Sequence, residues 1–485
     1  MPYDLIVIGS GPAGQKAAIA AAKHNRRVAI IERERTLLGG VCLHTGTIPS
    51  KTIREAILHL TGYRHRDVYN ELYRRKRDIT MDELRRKMLH VSQNEWQVIQ
   101  DQFARNRVHV ITGEASFVDQ HTVEVATQEG RQTLSATNIL IATGTKPSRP
   151  SHIPFDGHTV FDSDEILNLD RIPRSMVVVG GGVIGLEYAI MFATLGVSVT
   201  VVDGRDRLLE FCDHEIIDTL LYHARSLGMI FRLGESVVDI CLPRPGLVAV
   251  ELESGKRVLG ETVLFSVGRS GDTECLNLER AGLAADKRGR LKANEHFQTV
   301  VPNIYAVGDV VGFPALASAS MEQGRQAVCH MVGEPFRAAR FMPYGLFTIP
   351  EISTVGKSEQ ELTNERVPYE VGMARYSEIA RGQINGDCEG MLKLLFHRDT
   401  RQLLGVHVIG EAATEIVHIG QTVMSFDGTI EYFRDTVFNY PTMAECYKVA
   451  ALDGLNKLNL LKEAEVCGMP TDAIEVAIDT SLLLA

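Results

Sequence analysis

The chain has 485 residues, 45% of them hydrophobic and 23% charged, and its formal net charge is −10. This composition is typical of a folded globular protein, and the length suggests roughly three domains. The negative charge argues against nucleic acid or an anionic membrane as a partner. No segment approaches the ~18 apolar residues of a membrane span, and the N-terminus lacks the pattern of a signal peptide. The eight scattered cysteines show no metal-ligand spacing and favour a reducing cytoplasm.

The first predicted element is a βαβ unit at the N-terminus. Its first strand ends in the motif Gly9-Ser10-Gly11-Pro12-Ala13-Gly14. An Ala-rich helix follows, and the next strand ends at Glu32. In this setting the Gly-x-Gly-x-x-Gly spacing is typical of a dinucleotide site. Gly9 permits the tight turn, Gly11 lets the backbone approach a pyrophosphate, and Gly14 lets the helix pack on the strand. We expect Glu32 to accept a hydrogen bond from a ribose hydroxyl.

The stretch 63–106 is polar with amphipathic spacing, which predicts one long helix containing the single tryptophan, Trp96. The basic run 74–77 within it is interpreted as a solvated helix face. Short strands are then predicted at 108–111, 122–125 and 138–142. The last of them ends in the turn Thr143-Gly144, and the proline-rich segment 146–150 is interpreted as a linker.

A second βαβ unit follows the linker. An apolar strand ends in Gly180-Gly181-Gly182-Val183-Ile184-Gly185, and the closing strand ends at Asp203. Two fingerprints, each followed by a strand that ends in an acid, predict two dinucleotides on one chain. Such a pair suggests that electrons move from one dinucleotide to the other. Two later apolar strands also end in glycine, at Gly268 and at Gly308-Asp309.

The segment from Gly39-Gly40 through Cys42 to Lys51 resembles the redox-active segment of the class I flavoprotein disulfide reductases, the family of lipoamide dehydrogenase and glutathione reductase. Residues 142–144, 308–309 and 348–356 resemble further motifs of that family, in the same order. The resemblance covers roughly residues 3–460. It implies an α/β fold with two Rossmann-like domains, for FAD and NAD(P), and a C-terminal α+β dimerisation domain. The implied regions are 1–147 with 275–340 for FAD, 148–274 for NAD(P), 341–460 for dimerisation, and a tail at 461–485.

Two positions depart from the disulfide-reducing members. Those members carry a second cysteine five positions after the first, where this chain has Thr47. They also carry a histidine that serves as acid–base partner of the thiol, where this chain has Tyr440. With both changes the chain resembles the soluble pyridine nucleotide transhydrogenases, a branch of the same family. The implied reaction is NADPH + NAD⁺ ⇌ NADP⁺ + NADH on bound FAD, which carries the hydride without a disulfide.

The resemblance also implies roles for individual residues. Lys51 is expected near the flavin, paired with Glu187, so that its charge stabilises negative charge on the ring. Cys42 is expected over the flavin face, either as a small apolar residue or with a catalytic role. The residues expected to bind the cofactors are Gly9, Gly11, Pro12, Ala13, Gly14, Glu32, Gly39, Gly40, Lys51, Thr143, Gly144, Asp309, Ala317, Gly180, Gly182, Val183, Ile184, Gly185, Asp203, Arg205 and Gly268.

The cofactor preference of the second site stays open at this point. Asp203 favours NAD(H), because a carboxylate accepts the ribose 2′-hydroxyl and repels a 2′-phosphate. Arg205 and Arg207 lie close behind it, and a guanidinium can hold a phosphate. The alternative is that both arginines only pair with Asp206 and Glu210.

Other functions are compatible with the same motifs. In a single-cysteine NAD(P)H oxidase or peroxidase, Cys42 would cycle through sulfenic acid. A lipoamide-dehydrogenase-like diaphorase and a flavin-bound redox sensor without turnover are further alternatives. The resemblance also implies a homodimer or a larger homo-oligomer, with Tyr440 and Glu445 contributed across the interface. His418 is expected in the interface or the core, and the direction of hydride flow stays open.

Overall fold

The computed structural model describes residues 2–63, 79–335 and 338–466, with no side chains described for 462–466. The basic run 74–77 and the tail beyond 466 lie outside these ranges. The strands are β1 Tyr3–Ile8, β2 Val28–Glu32, β3 His109–Thr112, β4 Glu114–Phe117, β5 Thr122–Thr127, β6 Gly130–Ile141, β7 Thr145–Pro147, β8 Val160–Asp162, β9 Ser175–Val179, β10 Ser198–Asp203, β11 Ile230–Leu233, β12 Val237–Arg244, β13 Leu247–Leu252, β14 Arg257–Gly260, β15 Thr262–Phe265, β16 Arg269–Gly271, β17 Ile304–Ala306, β18 Tyr344–Leu346, β19 Ile352–Gly356, β20 Tyr369–Arg375, β21 Met391–His397 and β22 Leu403–Ile409. The helices are α1 Pro12–Lys23, α2 Gly40–His44, α3 Thr47–Thr61, α4 Met81–Arg105, α5 Val183–Thr194, α6 His214–Ser226, α7 Ala317–Met331, α8 Glu359–Asn364, α9 Ala380–Asn385, α10 Ala413–Ser425, α11 Glu431–Asp435 and α12 Glu445–Val466.

The first sheet has the order β3-β2-β1-β6-β5-β4, with β17 also paired to β6. The long strand β6 combines two kinds of pairing. Its first half is antiparallel to β5, and its second half is parallel to β1 and β17. The apolar runs of β1 and of the second half of β6 are almost fully buried, as expected for parallel strands covered on both faces. Strand β17 returns from far downstream in the chain to complete this sheet.

The second sheet, β11-β10-β9-β15-β8, is entirely parallel, and the antiparallel strands β12–β14 form a separate small sheet whose apolar side chains pack against it. The third sheet, β18-β19-β22-β21-β20, is antiparallel and is covered by the helices that follow it. Two Rossmann-like units and a C-terminal α+β unit confirm the predicted fold class. Each of these three principal sheets lies within one predicted domain region, while the boundaries themselves stay predictions.

The connection between the first two sheets is more regular than a plain linker. Strand β7 pairs antiparallel with β16 and forms a two-stranded ribbon. The guanidinium of Arg269 in β16 fastens this ribbon by donating to the Thr145 carbonyl at 2.8 Å and to Thr145 Oγ1 at 2.9 Å. The same guanidinium donates to Asp164 at 2.7 Å, beyond β8. Arg269 therefore ties the ribbon to the edge of the second sheet.

The helix expected over 63–106 does not run through the described part of that stretch, and here the expectation was wrong. Helix α4 begins at Met81, because Thr80 has extended backbone angles and caps the helix. Thr80 Oγ1 accepts from the Glu83 amide, and the Glu83 carboxylate accepts from the Thr80 amide. This reciprocal capping satisfies amides that have no partner within the helix. Part of the predicted helix, 64–78, lies outside the described residues.

A buried charge cluster joins the second and third units. Lys393 Nζ in β21 lies 3.0 Å from Asp213 Oδ1 and 3.0 Å from Glu215 Oε2, and it also contacts Glu359. Burial opposes ionisation of Asp213, but the charge and the hydrogen bond of Lys393 hold the pKa of that carboxyl below its usual range. The ammonium group thus takes the place that a cation would occupy among these carboxylates.

Within the ranges given above, no helix is long and apolar enough to cross a lipid bilayer.

Candidate active site

A single large cavity of about 1400 Å³ receives residues from all three units. Most of the residues predicted to bind cofactors or to act in catalysis line it. They are Gly9, Gly11, Pro12, Ala13, Glu32, Gly40, Cys42, Lys51, Thr143, Gly144, Gly180, Gly182, Val183, Ile184, Glu187, Asp203, Arg205, Gly268, Asp309 and Ala317. Three predicted residues, Gly14, Gly39 and Gly185, do not line it. Their contribution is to the shape of the loops around it.

The first glycine loop has the geometry that its spacing predicts. Gly9 has φ of +100°, and a Cβ there would lie 2.4 Å from the Ala142 carbonyl oxygen. A Cβ on Gly14 would lie 2.0 Å from the Gly9 carbonyl oxygen, so helix α1 needs glycine to approach the loop. A Cβ on Gly11 would meet no atom within 4 Å, and this residue faces the cavity. The start of α1 thus offers free amides to an anion at Gly11.

Glu32 stands at the end of β2 and closes this loop. Its Oε2 accepts hydrogen bonds from the Ser10 amide at 3.0 Å and from Ser10 Oγ at 2.5 Å. Ser10 Oγ in turn accepts from the Gly39 amide at 3.0 Å, which links the loop to the segment that carries Cys42. The carboxylate is held in a fixed orientation and keeps lone pairs for ribose hydroxyls.

The second glycine loop repeats the first. Gly180 has φ of +98°, and a Cβ there would lie 2.7 Å from the Ser266 carbonyl oxygen. A Cβ on Gly185 would lie 2.0 Å from the Gly180 carbonyl oxygen, whereas a Cβ on Gly182 would face open space. The amide of Gly181 donates to Asp203 Oδ2 at 2.6 Å, as Ser10 does to Glu32. The cavity therefore contains two glycine loops of one design.

Asp203 and Arg205 form a bidentate ion pair at the edge of this second loop. Arg205 Nε lies 2.9 Å from Asp203 Oδ1, and Arg205 Nη2 lies 2.7 Å from Asp203 Oδ2. Burial opposes ionisation of Asp203, but hydrogen bonds from Arg205 and the Gly181 amide hold its pKa below the usual range. Arg207 does not line the cavity, and its Nη2 lies 3.8 Å from Asp218 Oδ2. Arg205 thus pairs with Asp203 itself. The sequence had suggested only a phosphate contact or pairing with Asp206 and Glu210.

Lys51 and Glu187 meet on the cavity wall, as the resemblance implies. Lys51 Nζ lies 2.5 Å from Glu187 Oε2, and Glu187 Oε1 accepts from the Phe347 amide at 2.8 Å. The ammonium also lies 5.0 Å from the centroid of the Phe347 ring. Helix α3, helix α5 and the segment after β18 therefore converge on one carboxylate. The pair is fixed from three directions and presents a cation to the cavity.

Cys42 lies in helix α2, and its thiol is not in a disulfide. Burial raises the pKa of the Cys42 thiol above its usual value, and a hydrogen bond with the Thr47 side chain opposes the rise. Thr47 starts helix α3 and lines the cavity beside Cys42. The hydroxyl thus takes the place of a second thiol next to the first. A thiol with a raised pKa is a poor nucleophile at neutral pH.

Asp309 and Ala317 also line the cavity. Burial raises the pKa of Asp309, while a hydrogen bond from Ser320 Oγ, 3.3 Å away, opposes the rise. Ala317 begins helix α7, whose first turn lines the cavity. The Gly308 amide donates to Gln323 Oε1 at 2.8 Å and holds the Asp309 backbone against this helix. A partly buried carboxylate in this position can accept hydrogen bonds from hydroxyl groups of a ligand.

Three buried polar atoms on the cavity wall indicate that a polar ligand belongs there. Thr45 Oγ1, Thr143 Oγ1 and the Tyr188 hydroxyl have no hydrogen-bond partner among the described residues. Buried polar groups are rarely left without a partner in native proteins. FAD and a nicotinamide dinucleotide are rich in phosphate, ribose and carbonyl acceptors. The residues present therefore fit both groups.

Sequence reasoning missed several residues of the site. Ser10 lies inside the first motif, but its link to Glu32 depends on the fold of the loop. Arg269 directly follows Gly268, and its partners Asp164 and Thr145 are distant in sequence. Tyr188 follows Glu187 and looks like an ordinary core residue on an apolar helix. None of these residues carries a spacing pattern of its own.

Tyr440 and Glu445 lie apart from the cavity of their own chain. Tyr440 is 72% exposed, and Glu445 Oε2 is buried without a partner among the described residues of its own chain. His418 lies in α10, where its Nδ1 and Gln421 Oε1 are 2.8 Å apart. The expected contribution of Tyr440 and Glu445 across a subunit interface stays a prediction.

Comparison with known proteins identifies the class. A family model described as pyridine nucleotide-disulphide oxidoreductase matches residues 3–324, and the dimerisation-domain model of the same family matches residues 342–451. The chain belongs to the pyridine nucleotide-disulphide oxidoreductase family. The predicted membership of a flavoprotein disulfide reductase family is thus confirmed.

Curated relatives place it within that family. A protein named soluble pyridine nucleotide transhydrogenase from Mycobacterium bovis (strain BCG) is 53% identical over 464 residues, covering 95% of this chain and 99% of the relative. A protein of the same name from Colwellia psychrerythraea is 46% identical over 462 residues, covering 94% and 98%. The predicted resemblance to the transhydrogenase branch is confirmed.

Solved structures share the fold. The HOCl-induced flavoprotein disulfide reductase RclA from Escherichia coli superposes with a TM-score of 0.83 at 28% identity, covering 93% of this chain and 99% of RclA. LpdA from Mycobacterium tuberculosis superposes with a TM-score of 0.85 at 26% identity, covering 92% and 99%.

Proposed function

We propose that this chain is an FAD-dependent transhydrogenase that moves hydride between NADPH and NAD⁺. The observation that carries the proposal is the combination of two matching glycine loops in one cavity with Thr47 beside Cys42. A hydroxyl cannot form a disulfide, so electrons have no dithiol acceptor at this position. FAD, when bound, supplies a ring that accepts a hydride from one nicotinamide and returns it to another.

The residues that would hold FAD come from the first unit. The free amides at Gly11 and the start of α1 would bind its pyrophosphate, and Glu32 would accept from its adenosine ribose. Asp309 would accept from hydroxyls of the ribityl chain, and Thr143 would find a partner in the same ligand. These assignments would explain why the Thr143 hydroxyl is buried without a hydrogen-bond partner among the described residues.

Lys51 and Glu187 are the residues that would act on the reacting rings. The ammonium would stabilise negative charge that develops on a ring beside it, and Glu187 would keep the ammonium in place. A cation that is fixed before the reaction needs no reorganisation during it. Cys42, with its raised pKa, would fill space beside the ring and take no part in hydride transfer.

The second loop would receive NAD(H) and NADP(H) in turn. With NAD(H), Asp203 would accept from the ribose hydroxyls while Arg205 stays paired with it. With NADP(H), the Arg205 guanidinium would turn from Asp203 to the 2′-phosphate, because a bidentate phosphate contact can replace a bidentate carboxylate contact. One acid–base pair would thereby serve both cofactors.

The proposal extends to the oligomeric state and the compartment. The match to a dimerisation domain supports a homodimer. In that dimer Tyr440 and Glu445 would reach the cavity of the partner subunit. A dimer or a larger assembly would appear in light scattering as a multiple of 53.6 kDa. Action in the cytoplasm is an expectation that rests on the sequence.

The deciding experiment is anaerobic stopped-flow absorbance of the purified protein. NADPH should bleach the flavin, and subsequent mixing with NAD⁺ should restore its colour at a rate compatible with turnover. If only NADH bleaches the flavin, the protein is an NADH-specific oxidase or diaphorase. Restoration by O₂ or peroxide but not by NAD⁺ would identify the single-cysteine oxidase or peroxidase alternative.

A further inference from the structure

Tyr188 is a cavity residue without an assigned role. It follows Glu187 in helix α5 and lies one turn beyond Ile184, and all three line the cavity. The residue is only 4% exposed, and its ring packs in the largest hydrophobic cluster of the protein's described part. Packing therefore fixes the ring, and the hydroxyl is its only polar atom.

The Tyr188 hydroxyl has no hydrogen-bond partner among the described residues. The two nearby carboxylates are already engaged, since Glu187 bonds Lys51 and the Phe347 amide, and Asp164 bonds Arg269. Burial raises the pKa of Tyr188 far above its ordinary value, so the hydroxyl is a neutral donor at any physiological pH. A buried donor without an acceptor disfavours the folded state, whereas a phenylalanine of the same shape would not. A bound ligand that supplied the missing acceptor would explain why a hydroxyl is buried here.

We propose that the Tyr188 hydroxyl donates a hydrogen bond to a carbonyl oxygen of a ring bound beside Glu187. The proposal rests on the proposed function, which brings two such rings to this wall. A carbonyl of the flavin ring and the carboxamide of nicotinamide offer the same chemistry, a planar amide-type acceptor. Val183, Ile184 and Phe347 line the rest of this wall with apolar groups. Tyr188 would then be the polar contact that sets the angle of a ring held otherwise by apolar surfaces.

The two acceptors have different consequences. A hydrogen bond to the carboxamide would orient the nicotinamide. Its loss in Tyr188→Phe would weaken the binding of the dinucleotide. A bond to a flavin carbonyl would withdraw electron density from the ring and would raise its midpoint potential. In both cases the residue positions or tunes a ring.

The test is Tyr188→Phe in the holoprotein, with Tyr305→Phe as the matched control. Tyr305 is also buried, but its hydroxyl already has partners in Gln298 and His330, and it does not line the cavity. The dissociation constant of NAD⁺ is measured by titration of the oxidised holoprotein. The visible flavin spectrum, the flavin midpoint potential and the melting temperature are measured on the same samples.

If the acceptor is the carboxamide, we expect the dissociation constant of NAD⁺ to rise three- to tenfold while the flavin spectrum stays unchanged. This is the range that the loss of one hydrogen bond of about 1 kcal/mol gives. A shifted spectrum and a lower midpoint potential, with an unchanged NAD⁺ constant, is the result expected for the flavin. The melting temperature should not fall in the carboxamide case, and in the flavin case it should fall only slightly, because bound FAD then loses one hydrogen bond. Unchanged binding, spectrum and potential would overturn the proposal, as would a fall in melting temperature with no change in NAD⁺ binding, flavin spectrum or potential. Because these readouts need no NADPH, they stand apart from the test of transhydrogenation.

Discussion

Lys51 and Glu187 are 136 positions apart in the sequence, and their side chains meet at 2.5 Å on the wall of the cavity. Glu187 is almost fully buried, while a quarter of the Lys51 side chain is exposed toward the cavity. The carboxylate is also fixed by the Phe347 amide of the C-terminal unit. A single buried acid thus holds one cation on the wall of the cavity.

Replacing Lys51 by methionine should slow hydride transfer about 10²-fold, the scale on which loss of one fixed electrostatic contact acts. The rate of flavin bleaching by NADPH in stopped flow measures it. Lys146→Met is the control, because Lys146 forms an exposed pair with Glu274 and does not line the cavity. A Lys51→Met protein that keeps the wild-type bleaching rate would show that the ammonium is only structural.

Cys42→Ser should leave transhydrogenation within about threefold of the wild type, because the raised pKa keeps the thiol protonated and unreactive. Rates with NADPH and NAD⁺ measure this, and peroxide consumption is measured beside them. Loss of transhydrogenation in Cys42→Ser would assign the thiol a direct role and contradict the proposal.

Thr47→Cys should restore the pair of neighbouring thiols that the disulfide-reducing members of the family carry. The Thr47 side chain is close enough to interact with the Cys42 thiol, so a thiol placed there should form a disulfide with it. Titration with dithionite should then take up about four electrons per flavin and not two. The double variant Cys42→Ser with Thr47→Cys is the control and should again take up two.

The sequence predicted the two loops well because their glycines are required by local geometry. A positive φ at Gly9 and Gly180 and the close helix contacts at Gly14 and Gly185 leave a pattern within a few residues. Contacts between distant segments leave no such pattern. The bond from Glu187 to the Phe347 amide and the bidentate Asp203–Arg205 pair depend on tertiary placement. The start of helix α4 was predicted too early for a related reason. Thr80 acts as the N-cap only through its hydrogen bonds with Glu83, and these form only in the folded segment.

Asp203→Asn and Arg205→Gln should shift cofactor preference in opposite directions. Removing the guanidinium should lower kcat/KM for NADPH by about 10- to 100-fold, the value of a charge-assisted contact to phosphate, with a much smaller effect for NADH. Asp203→Asn should raise kcat/KM for NADPH and lower it for NADH, because Arg205 loses its competing partner. Arg207→Gln is the matched control, since Arg207 lies off the cavity wall. Equal effects on both cofactors would contradict exchange of the Arg205 partner.

Lys393→Met should destabilise the protein by about 3–5 kcal/mol, the cost of leaving buried carboxylates without their cation. The Lys393 and Asp213 side chains are fully buried, and they join the second unit to the third. Chemical denaturation of the holoprotein measures the change, and Lys146→Met should stay within about 0.5 kcal/mol of the wild type. An equally small effect of Lys393→Met would mean that the carboxylates take up protons or water at little cost.

His407→Gln should flatten the dependence of stability on pH below neutrality. His407 is buried, and burial lowers its pKa although Asp213 opposes the change. Its Nε2 faces the Lys357 carbonyl oxygen at 2.9 Å and must donate to it, so Nδ1 accepts from Thr354 Oγ1 at 2.5 Å. The folded protein therefore keeps this imidazole neutral.

A histidine whose pKa is lower in the folded state binds its proton more tightly in the unfolded state. Its stabilising contribution is complete above the unfolded pKa of about 6.5 and is lost as the pH falls toward the folded pKa. Glutamine can keep both hydrogen bonds without titrating. Between pH 6.5 and 5 the wild type should lose up to about 1.4 kcal/mol per pH unit relative to His407→Gln. Denaturation at several pH values measures this difference, with the exposed His158→Gln as control. Parallel curves for wild type and His407→Gln would show that His407 takes up a proton in the folded state as readily as in the unfolded one.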